Sequence, residues 1–318
     1  MRIRLPIPPQ KPFDVVGVGI NVVDYLFRVP RFPEPDTKSD ALAATTQGGG
    51  LTATAMVACA RLGLRTRYVG KFGNDQIGRL AREMLAPEGL DLTASVQAAD
   101  APHRLCVVLV EEGTGHRTII RHMDPRIWLR PEELSREAVC SGRLLHLDGY
   151  EGEAALQAAR WAREAGIPVS LDAETFTERR EELFRLTDVL IVAERFARDL
   201  TGKVEVTDIL HGLTRLGPSC VGVTMGERGS ALFHREEIVE VPGFLVDVVD
   251  TTGAGDVFHG AFLYGLLQGW EAGDILLFAN AVSALKCTRL GGRAGIPRVP
   301  EVRRFMGVRG QGTFLDPA

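Results

Sequence analysis

The residues best suited to chemistry lie together in Val248-Val249-Asp250-Thr251-Thr252-Gly253-Ala254-Gly255-Asp256. Two valines that read as the end of a short strand give way to small residues, and Val257 to Leu267 then reads as a helix. Small residues at a helix N-terminus leave backbone N–H groups uncovered where the helix dipole favours an anion. Asp256 at the same corner can cap the helix and can also accept a proton from a hydroxyl. Donors for a migrating charge, together with a base for the attacking oxygen, are the parts that phosphoryl transfer requires. A lone Gly-x-Gly would imply only a tight turn, whereas seven specified positions between a strand and a helix point to catalysis.

Two other segments are built in the same manner. Gly48-Gly49-Gly50 precedes an Ala-rich run that ends Ala60-Arg61-Leu62-Gly63, and glycine there lets the backbone approach a polyol closely. Val223-Thr224-Met225-Gly226-Glu227-Arg228-Gly229 is a strand running into a glycine turn. Together with the 250–256 segment, these resemble the ribokinase-like (PfkB) carbohydrate kinases, and the resemblance runs from Asp14 to about Pro300.

The resemblance implies ATP-dependent phosphorylation of a sugar hydroxyl, with Asp256 as base and the Gly253-Ala254-Gly255 backbone as anion hole. Asp24 and Asn21, after the first strand, would grip sugar hydroxyls with Gly48, Gly49, Gly50, Thr54 and Arg117; an exposed strand position is the alternative for Arg117. Thr224, Gly226, Gly229, Thr252 and Asn280 would border the nucleotide. Mg²⁺ would accompany ATP, with Asp250 and Glu194 as metal candidates, and a K⁺ site would use Asp250 with backbone near Ala284 and Gly291. Asp75, in Gly73-Asn74-Asp75, reads as structural.

Two departures bear on substrate. Thr54 stands where many members carry asparagine, and it reaches less far than an amide. The usual Asn-x-x-Glu aligns with Ala193-Glu194-Arg195-Phe196, a relaxation that leans towards the ketohexokinase-like and sulfofructose-kinase-like branches. Arg117, Arg121 and Arg126 would suit a phosphate- or sulfonate-bearing ketose, or are surface charge. A nucleoside or other small-alcohol kinase, and a sugar-binding regulator without turnover, are the alternative functions.

The elements that must position these residues alternate. Strands are expected at 14–19, 69–72, 144–148, 169–172, 189–192, 220–224 and 230–233. Helices are expected at 51–62, 76–85, 153–165, 178–186, 255–267 and 272–288. Such alternation predicts a mostly parallel sheet covered on both faces. The resemblance sharpens this to a three-layer α/β/α fold of roughly nine strands in one domain, 1–318. Residues 104–110 and 116–121 flank Glu112-Gly113-Thr114-Gly115 as a hairpin. With 22–45, including a strand at 37–46, the stretch 93–122 would form a small β-lid over the sugar, through which relatives dimerise. The tail, 302–318, reads as a loose end.

Composition removes other classes. The net charge is −4, from 37 basic and 41 acidic residues, with no basic stripe for nucleic acid. The five cysteines are scattered, with no paired spacing for zinc or disulfides. No leader or bilayer-length apolar run is present, so a cytoplasmic protein is expected. Gly17-x-Gly19 lacks the third glycine and the helix of a dinucleotide site, and no P-loop motif occurs. His103, His116 and His122 read as solvated strand positions, and His146 and His259 as core or pocket wall.

Overall fold

The computed structural model describes residues 1–175 and 178–315. The strands are β1 (Phe13–Val18), β2 (Val22–Val29), β3 (Ala43–Gly49), β4 (Thr66–Val69), β5 (Lys71–Phe72), β6 (Val96–Gln97) and β7 (Leu105–Glu111). They continue as β8 (Arg117–His122), β9 (Gly142–Leu147), β10 (Val169–Asp172), β11 (Val189–Ala193), β12 (Cys220–Thr224), β13 (Ser230–His234) and β14 (Glu237–Val241). The helices are α1 (Leu51–Arg61), α2 (Gln76–Leu85), α3 (Arg136–Val139), α4 (Glu153–Glu164) and α5 (Arg180–Leu186). After these come α6 (Glu194–Thr201), α7 (Val206–Thr214), α8 (Ala254–Leu267), α9 (Ala272–Cys287) and α10 (Val299–Gly307).

The main sheet has the order β14-β13-β12-β11-β10-β9-β1-β4, parallel except for β13 and β14 at one edge. Its central strands are apolar throughout because both faces are covered. Val15 joins the core cluster made with α1, α8, α9 and α10, whereas its neighbour Val16 joins the cluster made with α4 to α7. Three layers result. One expected strand, 69–72, breaks at Gly70, and its last two residues pair with β6 outside the main sheet. Among the described residues the main sheet therefore has eight strands, against the nine expected.

α8 is apolar on nearly every side, as a helix must be when neighbours enclose it. Gly260 brings it close to α1: a Cβ there would lie 2.6 Å from the Ala55 carbonyl oxygen. This contact fixes the helix whose first turn carries Asp256.

The smaller sheet has the order β3-β2-β7-β8, with Leu26, Val108 and Val110 buried beneath it. The expected hairpin is its β7–β8 pair, in register from Leu105 opposite His122 to Val110 opposite Arg117. Residues 93–104 do not join this sheet, because Val96 and Gln97 pair with β5; the strand expected at 37–46 begins only at Ala43.

Several expectations need correction. Val248 and Val249 are not a strand: 242–252 is irregular chain, anchored where the Val249 and Asp250 N–H groups donate to the Cys287 carbonyl. His103 is not solvated; its ring stacks on Phe72, and its Nδ1 accepts from Gly73 N–H at 3.1 Å. The tail is anchored as far as Leu315, since Val302 and Met306, spaced to share a face of α10, are fully buried and Phe314 packs on Trp270. Residues 316–318 of that tail lie outside the described residues. α6, α7, α10 and β14 were not anticipated. Asp75 caps α2, with its Oδ1 accepting from Gly78 N–H at 2.8 Å.

Candidate active site

Gly253 makes the turn into α8. Its φ is 74°, a left-handed conformation that costs glycine little, and a Cβ would lie 3.1 Å from Gly292 Cα. Gly253 is thus the N-cap of α8, and Asp256 stands in the first turn instead of capping it, leaving its carboxylate for the cleft. The loop before the helix is tied from several sides. Asp250 Oδ1 accepts from Thr252 N–H and Oγ1–H at 2.8 and 2.6 Å, and Oδ2 accepts from Gly291 N–H at 2.7 Å. Lys286 Nζ, fully buried, donates to the Asp250 carbonyl oxygen at 2.8 Å.

Two cavities meet at this loop. The larger, about 420 Å³, runs along Thr224, Gly226, Gly229 and Asn280 towards the Gly253-Ala254-Gly255 backbone. The smaller, about 110 Å³, lies between the loop and the smaller sheet, with Asp24, Gly50, Arg121, Tyr150 and Thr252 in its wall. Arg117, Glu174, Gly253 and Asp256 border both. A group moving from one cavity to the other would pass the Asp256 carboxylate and the N–H groups at the start of α8, of which Ala254's donates to the Thr251 carbonyl at 3.2 Å.

The electrostatics suit a site where charge is managed. Burial, then the carboxylates of Asp172 and Glu174, push Asp256 well above the usual carboxylate range, and Arg117 opposes them. Asp172, at the end of β10, is raised by burial and by Glu174, and His259 Nε2 lies 3.3 Å from its Oδ1. Burial pushes Asp24 up to about 6, with Arg293 acting against it. Arg117 Nη1 donates to Thr251 Oγ1 at 2.8 Å, so β8 reaches over the loop before α8. Arg121 donates to Tyr150 Oη, which donates to Glu174 at 2.8 Å.

Some expected residues act from behind the wall. Thr54 is fully buried, and its hydroxyl accepts from Arg293 Nε at 3.2 Å, so it does not reach the cleft. Asn21 is likewise buried and donates to Tyr68 Oη at 2.6 Å. Gly48 and Gly49 serve by what they lack: a Cβ on Gly48 would lie 2.2 Å from Arg293 Nη1, and one on Gly49 would lie 2.1 Å from Asp24 Oδ2. Asn280 braces the larger cavity, donating to the carbonyls of Val241 and Pro242 and accepting from Ser230. Glu194 is held by Arg198 and Arg228, so its carboxylate is committed to arginines. Arg126 pairs with Asp124 and Asp100 outside the cleft.

Arg293, Lys286, Asp172 and Glu174 were not anticipated. Asp172 and Glu174 had an accessible signal, since carboxylates at the carboxyl end of a parallel strand face the crevice where α/β proteins bind ligands.

Among the described residues, no group of three or more His, Cys, Asp and Glu is placed to hold a metal ion. Magnesium that arrives with a nucleotide needs only one or two protein carboxylates, with phosphates and waters supplying the rest. Asp172, Glu174 and Asp256 border the larger cavity and fit that requirement. No helix among the described residues is long and apolar enough to cross a membrane.

Comparison with known proteins agrees with this geometry. A family model described as pfkB family carbohydrate kinase matches residues 12–298. A nucleoside kinase of Methanothermobacter thermautotrophicus is 27% identical, covering 92% of this chain and 95% of its own. An ATP-dependent ribose-1-phosphate kinase of Halopiger xanaduensis is 30% identical, covering 93% and 98%. The solved structure of Arabidopsis thaliana ribokinase complexed with ribose and ATP superposes with a TM-score of 0.79 at 27% identity, covering 92% and 98%.

Proposed function

The chain belongs to the pfkB family of carbohydrate kinases and is a phosphotransferase of the ribokinase-like fold; from that premise we propose how its cleft works and what it accepts. ATP lies in the larger cavity along Thr224, Gly226 and Gly229, with its γ-phosphate at the Gly253-Ala254-Gly255 amides. The acceptor lies in the smaller cavity, its hydroxyls held by Asp24 and the backbone at Gly50. Asp256 takes the proton of the attacking hydroxyl while the amides stabilise the charge that builds on the moving phosphoryl group. Magnesium, held by Asp172 and Glu174 with the phosphates, would neutralise part of that charge when bound.

The observation that carries this reading is that Asp256 and Gly253 border both cavities. The acceptor is a sugar, a ketose or pentose, and the cations Arg117 and Arg121 in the wall suit one that carries phosphate or sulfonate. A nucleoside is the second reading, favoured by the apolar wall of Ile20, Val22, Leu51, Val108, Ile119 and Met123. ADP release, measured across ketoses, pentoses, their phosphates and nucleosides at fixed ATP, separates the two. No ADP with any acceptor, despite acceptor binding, would favour a regulator without turnover.

The smaller sheet acts as a lid on a single domain and excludes water from the transfer. Its edge strand β8 is exposed along its whole length, with Ile120 outward, and an edge of this kind invites pairing. A homodimer through this sheet follows, and light scattering on Ile120→Lys tests it: the wild type should be dimeric and the variant monomeric.

A further inference from the structure

Lys286 is a buried cation that the proposed chemistry leaves without a role. It stands in the last turn of α9 with no exposed surface, and among the described residues no carboxylate lies within ion-pair distance of its ammonium. Its Nζ bonds instead to the carbonyl oxygen of Asp250, at the root of the phosphate-binding loop. A main-chain carbonyl is the kind of ligand an alkali cation uses, so this ammonium sits as such an ion would.

All three oxygens of Asp250 are already engaged by protein donors. Both of its carboxylate oxygens accept protein donors, Oδ1 from Thr252 and Oδ2 from Gly291 N–H, and its carbonyl oxygen accepts from Lys286. The nearby carbonyls are committed too: Cys287 O receives the N–H groups of Val249 and Asp250, and Ala254 O receives the Ser283 hydroxyl. A K⁺ ion at the site expected around Asp250 would therefore meet oxygens of that residue that already accept protein donors.

We propose that Lys286 is the built-in monovalent cation of the phosphate-binding loop, occupying the position a potassium ion would take. Its fixed charge, held at the Asp250 carbonyl at the root of the loop, favours an anion at the loop without an ion having to be recruited. Burial pulls the ammonium below its ordinary pKa, while Asp250 works against that effect and Arg117 adds to it. This inference rests on the reading that the loop receives a phosphate.

The test compares potassium chloride with tetramethylammonium chloride at equal ionic strength. Wild-type ADP release should agree between the two salts within about twofold. Lys286→Met in tetramethylammonium should lose about tenfold or more, and potassium or ammonium ions should restore much of it. Lys286→Gln, which keeps a donor but not the charge, should behave likewise and covers the case in which the methionine variant does not fold. In thermal shift, potassium should raise the melting temperature of Lys286→Gln and leave the wild type unmoved. Activation of the wild type by potassium of about fivefold or more, or a variant as fast as wild type without potassium, would overturn the proposal. Were no acceptor to give ADP in any salt, the kinase reading would fail, and the thermal-shift arm would still decide whether the cation position is filled.

Discussion

Replacing Asp24 by asparagine should make the protein more stable and a worse enzyme, by amounts that follow from burial. The carboxyl group is almost fully buried, and its pKa rises from 3.8 to about 6, chiefly through loss of water. Between those values the native state holds a proton that the unfolded chain releases, so stability falls as pH rises through this window and stays lower above it. At about 1.4 kcal/mol per pH unit, ionised Asp24 costs the native state about 3 kcal/mol at pH 7.5 and less than about 1 kcal/mol at pH 4. The neutral amide of the Asp24→Asn variant carries no such cost. Urea unfolding of both proteins without ligand should show the variant ahead by up to about 3 kcal/mol at pH 7.5, the gap closing towards pH 4. Other titrating groups cancel in the difference. The acceptor KM should rise about tenfold or more, because the amide replaces one of the carboxylate's two accepting oxygens with an NH₂ that can only donate. A variant less stable than wild type at pH 7.5, or a gap that does not change with pH, would refute the argument that burial is what strains Asp24.

Gly49→Ala should place a Cβ 2.1 Å from Asp24 Oδ2, displacing the carboxylate; the acceptor KM should rise about tenfold while the ATP KM stays near wild type. Arg104→Met should remove the partner of Glu151 in an ion pair with no exposed side-chain surface on either side, and urea melts should show a loss of about 3–5 kcal/mol.

The sequence was most legible where local chemistry and pattern coincide. The runs around Val15, Val189 and Val221 are apolar because they are covered on both faces, and the 250–256 segment declares its loop and helix start through small residues. What stayed hidden depends on distant pairs. Arg293 is buried because Gly48, far earlier in the chain, lacks a side chain, and Lys286 because the Asp250 carbonyl meets its ammonium; neither neighbourhood announces a buried charge. His103 looked like a strand residue among polar ones, yet Phe72 gives it a stacking partner. The tail looked loose because its arginines and glycines outnumber the apolar residues that anchor it, Val302, Met306 and Leu315. Thr54 was placed at the sugar by family pattern, whereas in this chain its hydroxyl serves Arg293.

The central claim is that Asp256 removes the acceptor proton as the phosphoryl group passes the α8 amides. Asp256→Asn tests it most directly, with turnover read by ADP release and binding of acceptor and ATP read by calorimetry. The account predicts a loss of about a hundredfold or more in turnover with both affinities within a few-fold of wild type. Near wild-type turnover in that variant would contradict it.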